Sequence, residues 1–353
     1  MRRLIYTLAA VGLFLAAGCK ENTTGNTTTA TDTPKTVEVK DNFETGVVIP
    51  AVSCKTYPAE TYALYLPKAY TPTANLPCIL FFDPHGDGTL PVEKYKTLAE
   101  EFGFILAGSN VSNNQNVFEN NLSNANTMAL ELTERFHTYN KQLAFCGFSG
   151  GAKVALVEGP ELPQVNKLIY CGAVLPLNTK RNLDILGFAG TRDMNYTDLV
   201  QFDMGLKNSP HIHYLVEWNG KHEFPSEQVF RDAFTFVKNG QIENYSSKVA
   251  TIAPQQVNQE QGQKQALLQA FGTQDINWWR KEIASLNAKK KTNPMYERLL
   301  GFVSLACYSY SNQLLKQNNL EGAEKILAIY ALADPGNKDC EAFTVELNKR
   351  KGN

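Results

Sequence analysis

Between residues 44 and 245, short continuous apolar runs alternate with longer amphipathic stretches. Residues 76–82, 104–108, 143–148, 167–174, 185–189 and 212–218 are apolar enough to read as strands buried on both faces. Residues 44–69 alternate in strand fashion, most clearly at 62–67. Helical spacing fills the intervals at 91–102, 127–136, 152–157, 199–206 and 225–238. In the first of these Tyr95, Leu98, Ala99 and Phe102 share one face. The Asn/Ser-rich stretch 109–126 predicts a long loop. Strands alternating with helices imply an α/β domain, a mostly parallel sheet covered by helices on both faces.

From residue 251 the pattern changes. Helical segments follow one another without strands at 264–270, 276–286, 296–315, 320–333 and 340–348. Leu314, Ala323, Leu327 and the turn Asp334-Pro335-Gly336-Asn337 resemble part of a tetratricopeptide repeat, with Ser311 where a small glycine is usual. One such repeat cannot bury its own apolar face, so the all-α extension over 251–353 is expected to pack on its neighbours as a structural cap. The competing expectation is that these helices bind a protein partner.

The N-terminus has the pattern of an export signal. Arg2 and Arg3 precede the apolar run 4–17, which ends in Leu15-Ala16-Ala17-Gly18-Cys19 and resembles a bacterial lipoprotein lipobox, with Ala16 where leucine is most usual. That resemblance implies removal of residues 1–18, acylation of Cys19 and a chain anchored to a membrane surface in the cell envelope without spanning it. Residues 19–43, dominated by Thr and Asn, lack apolar periodicity and read as a disordered tether between anchor and folded domain.

Charge excludes one class of partner. The 353 residues carry a formal net charge of −1, which offers no concentrated basic face for nucleic acid. Cysteine spacing offers no metal site, since the chain has no C-x-x-C and no His/Cys cluster. Cys78, Cys146 and Cys171 fall inside apolar runs and are expected to be buried free thiols.

The chemistry gathers around residues 143–151. Here an apolar run ends in Gly147-Phe148-Ser149-Gly150-Gly151, a G-x-S-x-G followed by a helix-compatible stretch. A serine on so sharp a strand-to-helix turn is exposed as a nucleophile, and side chains at the flanking positions would collide with the neighbouring strand and helix. Such a serine needs a base, and a carboxylate to orient that base. The chain has five histidines. His211 and His213 lie at the start of a predicted strand, His137 at the end of a helix on the far side of the sheet, and His85 in a His-Gly turn. His222 lies just past the last strand, at the carboxyl edge where ligands bind in open α/β sheets. Asp193 follows the strand at 185–189. Asp184 lies at the wrong end of that strand, Asp198 and Asp203 fall in the next helix, and Glu223 suits a helix N-terminus.

The order Ser149, Asp193, His222 resembles that of the α/β-hydrolases, over roughly residues 44–240, and looks most like secreted esterases related to dienelactone hydrolase and polyhydroxyalkanoate depolymerase. The resemblance implies acyl transfer without a cofactor. It also implies an oxyanion hole built from the N–H of Gly150 and a second N–H, from Asp87 or Gly86, in the loop His85-Gly86-Asp87-Gly88. His85, Phe148, Trp218, Asn114 and Tyr196 are expected around the substrate, a small-molecule or glycan ester that the asparagines Asn110, Asn113 and Asn114 could engage. A serine peptidase of the same fold, or a noncatalytic envelope protein, are the alternatives.

Overall fold

The computed structural model describes residues 42–352 apart from 137, 139–142 and 250. The expected signal segment, Cys19, nearly all of the expected tether and His137 lie outside the described residues.

Eight strands form one sheet: β1 (Val48–Ser53), β2 (Thr61–Tyr65), β3 (Cys78–Phe82), β4 (Ile105–Ser109), β5 (Leu143–Phe148), β6 (Val165–Cys171), β7 (Asp184–Gly190) and β8 (Ile212–Trp218). Their spatial order is β1-β2-β4-β3-β5-β6-β7-β8. β2 runs antiparallel to both β1 and β4, and every pair from β4 through β8 is parallel. β3 and β5 are buried at every residue, which explains why they read as continuous apolar runs rather than alternating ones.

Side chains of alternating parity point to opposite faces and build two cores. Helices α2 (Phe118–Phe136), α3 (Gly150–Glu158) and α4 (Tyr196–Leu206) cover one face through Met128, Val154 and Leu199. α1 (Thr89–Phe102) and α5 (Glu227–Asn239) cover the other, where the Tyr95 and Phe230 rings stack at 3.9 Å. Glycines at the carboxyl edge allow close approach: a Cβ on Gly151 would collide with the Phe82 carbonyl, and one on Gly147 with that of Gly151.

The expected loop over 109–126 is shorter, because α2 starts at Phe118. Its first turns depend on buried asparagines whose amides are satisfied by the preceding loop. Asn121 Oδ1 accepts from the Asn113 N–H at 3.1 Å, and Asn121 Nδ2 donates to the Asn113 carbonyl at 2.8 Å. Asn124 Oδ1 accepts from the Ser109 hydroxyl at 2.7 Å, while Asn124 Nδ2 donates to Glu60 at 3.0 Å. Polar residues that fill apolar positions of a helix hide its period from a hydropathy pattern.

The remaining helices are α6 (Pro254–Thr273), α7 (Ile276–Lys289), α8 (Pro294–Lys316), α9 (Leu320–Ala333) and α10 (Lys338–Lys351). α6 is far longer than the expected 264–270, and its buried stripe includes Glu260 and Lys264. Val257 at its start joins the sheet's core, whereas Leu267 and Ala270 belong to a separate core with Trp279, Leu299, Val303 and Leu327. α6 therefore belongs to both halves of the molecule. No helix of the described residues is long and apolar enough to cross a membrane. The six cysteines among them are free and buried.

Candidate active site

Ser149, between β5 and α3, has φ 52° and ψ −119°, a left-handed conformation that an L-residue adopts only under constraint. The constraint is local. Its N–H donates to the Cys171 carbonyl of β6 at 2.9 Å, and its carbonyl accepts from the Ala152 N–H at 3.1 Å. The two glycine contacts described above let α3 start immediately behind it.

Asp193 sits in the turn after β7. Its carboxylate is 2% exposed, and Oδ1 accepts from the Asn195 N–H at 2.8 Å. Asn195 Nδ2 donates in turn to the Gly172 carbonyl at 2.7 Å, tying the acid turn to the end of β6. His222 follows β8 through the tight turn at Gly220, whose N–H donates to the Trp218 carbonyl at 2.9 Å. The imidazole Nδ1 lies 3.0 Å from both Asp193 oxygens, and Nε2 lies 2.9 Å from Ser149 Oγ. A nitrogen facing a carboxylate carries the proton, so Nε2 is left to accept from the serine hydroxyl. The three residues singled out in the sequence form one continuous hydrogen-bonded chain at the carboxyl edge of the sheet. The imidazole is 22% exposed and stays reachable from solvent.

The carboxylates set aside earlier are engaged elsewhere. Asp184 pairs with Lys167 at 2.6 Å, Asp203 lies 2.8 Å from His213, and Asp198 meets Lys264 at 3.1 Å. His211 precedes β8 and accepts from the Leu183 N–H at 3.3 Å.

The other expected site residues divide. Phe148 is 8% exposed, and its ring packs 4.7 Å from that of His222. Trp218 is half-buried, with its ring over Gly220. The Gly150 N–H opens α3 and has no acceptor within the helix, and the Asn114 side chain lies directly against the Gly150 Cα. His85 instead extends into solvent, 79% exposed. The loop's N–H groups turn inward onto buried Asp83: Gly86 donates to its carbonyl at 3.2 Å, and His85 and Asp87 donate to its Oδ1 at 2.8 and 3.4 Å. The long Asp87 contact is the weakest of the three. The Asp87 carboxylate is spent at the start of α1, on the Leu90 N–H at 3.2 Å.

Tyr196 is not a pocket residue. It is 2% exposed, its hydroxyl donates to Glu217 at 2.8 Å, and the Arg298 guanidinium lies 4.8 Å over its ring. Asn110 and Asn113 are likewise structural. Asn110 Nδ2 donates to the Pro50 carbonyl at 2.9 Å, and Asn113 Oδ1 accepts from the Gln115 and Asn116 N–H groups at 2.8 and 3.1 Å.

Two supporting residues escaped the sequence reading. Asn195 has a visible signature, since it stands two residues after Asp193, where the N–H of an Asx turn made by that acid is expected. Gly172 has φ 71°, and a Cβ there would lie 2.9 Å from the Phe148 ring and 3.1 Å from that of His222. Gly172→Ala is therefore expected to displace the imidazole and lower kcat/KM by about tenfold or more, measurable by steady-state kinetics on a short ester. Wild-type kinetics in that variant would show that the imidazole has room to spare.

The antiparallel β2, the parallel run through β8 and the sharp turn at Ser149 that joins β5 to α3 define an α/β-hydrolase fold. No family model matches the chain. No curated protein matches it by sequence. Among solved structures it is similar to a thermophilic esterase from the Planctomycetes species Thermogutta terrifontis with butyrate bound, at 14% identity and a TM-score of 0.43, over 52% of this chain and 91% of that one. It is also similar to the esterase of the archaeon Pyrobaculum calidifontis, at 11% identity and a TM-score of 0.46, over 57% of this chain and 88% of that one.

Proposed function

We propose that this protein is a serine hydrolase that cleaves carboxylic esters by acyl transfer. The observation that carries the reading is the chain from Asp193 through His222 to Ser149, with contacts of 3.0 and 2.9 Å, built on three separate strand ends. Ser149 Oγ attacks the ester carbonyl while His222 Nε2 takes its proton, and Asp193 stabilises the imidazolium that results. The developing oxyanion is held by the Gly150 N–H and by the Asp87 N–H, whose contact to Asp83 is long enough to be exchanged for a substrate oxygen. His222 then protonates the leaving alcohol. Water, deprotonated by the same imidazole, releases the acid and restores Ser149. Phe148 and Asn114 flank the reacting centre.

The test is covalent labelling of Ser149 by a fluorophosphonate together with turnover of short p-nitrophenyl esters. A wild-type protein that does neither is not a serine hydrolase.

The proposed working location is outside the inner membrane, with the acylated Cys19 as anchor and residues 19–43 as tether. Cys19→Ser is expected to shift the protein from the membrane pellet to the soluble fraction. Continued retention in the pellet would remove the lipid-anchor reading.

A further inference from the structure

We propose that Arg298, on α8 of the helical extension, is a positioning residue for the turn that carries Asp193. The proposal rests on the acyl-transfer reading above. Asp193 lies in an irregular turn between β7 and α4, and its own domain ties that turn to the ends of both neighbouring strands, to Gly172 after β6 and to the segment after β8. The Thr191 and Arg192 N–H groups donate to the Trp218 and Gly220 carbonyls, each at 2.9 Å. From the helical extension Arg298 Nη1 donates to the Thr191 carbonyl at 2.6 Å, across 107 residues of sequence. The same guanidinium covers the ring of Tyr196 at 4.8 Å, so both ends of the turn are gripped by one side chain.

Arg298 is itself held rigidly. Its Nε donates to Glu260 Oε1 at 2.9 Å and its Nη2 to Oε2 at 2.5 Å, a two-point pair with Glu260 fully buried and Arg298 6% exposed. Buried ion pairs return little net stability, because desolvation cancels most of the attraction, but they fix geometry. Neighbouring contacts point at the same segments. Met194 packs against Gly301, Lys264 donates to the Thr197 hydroxyl at 3.0 Å, and Lys221, beside His222, pairs with Glu297 at 3.0 Å. A helical cap that served only to cover the sheet would present apolar side chains to it. Here only the start of α6 reaches the sheet's core, through Val257, while the main apolar core of the helices lies apart and polar groups meet the acid turn. The extension is a brace for the acid–base pair.

The experiment compares Arg298→Lys and the double variant Arg298→Met/Glu260→Leu with the wild type. The double variant leaves no unpaired buried charge, so it is expected to fold. With active sites counted by fluorophosphonate titration, kcat per site is expected to fall about tenfold or more while KM stays within about threefold, since a displaced acid affects chemistry rather than binding. The low-field proton resonance of the His222 Nδ1–H bonded to Asp193 is expected to broaden or move upfield. Arg298→Lys keeps a cation and a donor, and is expected to recover part of both signals. A double variant that melts lower but keeps wild-type kcat per site and an unchanged resonance would reduce Arg298 to a structural residue and overturn the proposal. If the wild type neither labels nor turns over, the catalytic reading fails on its own, and the resonance still decides whether Arg298 positions the Asp193–His222 pair.

Discussion

Ser149→Ala is expected to lower kcat on short p-nitrophenyl esters by roughly 10^5-fold and to abolish fluorophosphonate labelling. The hydroxyl supplies the bond that forms in the first step, and it is the group hydrogen-bonded to His222 Nε2, at 2.9 Å. The same position carries a second, independent expectation. At φ 52° and ψ −119°, a residue with a Cβ stores strain on the order of 1–3 kcal/mol. Ser149→Gly removes that strain and Ser149→Ala does not, so the glycine variant is expected to melt above the alanine variant although both are inactive. Thermal denaturation of the pair checks it. An alanine variant that keeps a tenth of wild-type turnover would end the nucleophile assignment, whereas equal melting temperatures would end only the argument from strain.

Asp193→Asn should be nearly as damaging, lowering kcat by about 10^4-fold with little change in melting temperature. The amide is the same size as the carboxylate. Its oxygen can still accept from the Asn195 N–H at the 2.8 Å contact, so the turn keeps its shape. What changes is the other end of the group. An amide NH2 facing His222 Nδ1 favours the tautomer with the proton on Nε2, and that nitrogen can no longer accept from Ser149. The measurement is kcat with melting curves recorded in parallel. A loss below about tenfold, in a folded variant, would mean that Asp193 does not set the tautomer.

The parts of the site that could be read in the chain are those whose cause is local. Ser149 stands between glycines at the end of an apolar run, because a tight strand-to-helix turn leaves no room for side chains. Asp193 and His222 each follow their own run, because a parallel sheet brings all its strand ends to one edge. Other features escaped for equally physical reasons. α2 hid its first turns because Asn121 and Asn124 stand where apolar residues would, and they are tolerated because Ser109, Asn113 and Glu60 satisfy their amides. The loop after β3 has the expected composition, yet the His85 and Asp87 N–H groups turn onto Asp83 Oδ1, a choice made by that buried carboxylate.

Tyr196 shows the boundary most clearly. A tyrosine three positions after Asp193 reads as a pocket wall, but the folded chain places Arg298 over it. The amino-acid sequence by itself determined the class of fold, the glycine-flanked turn at Ser149 and the three residues that meet there, since periodicity, glycine placement and strand order are properties of neighbouring residues. Only the tertiary structure decided that the helical extension braces the acid turn. The Arg298–Thr191 contact joins segments 107 residues apart, and a buried arginine leaves no local trace of the carbonyl it will meet.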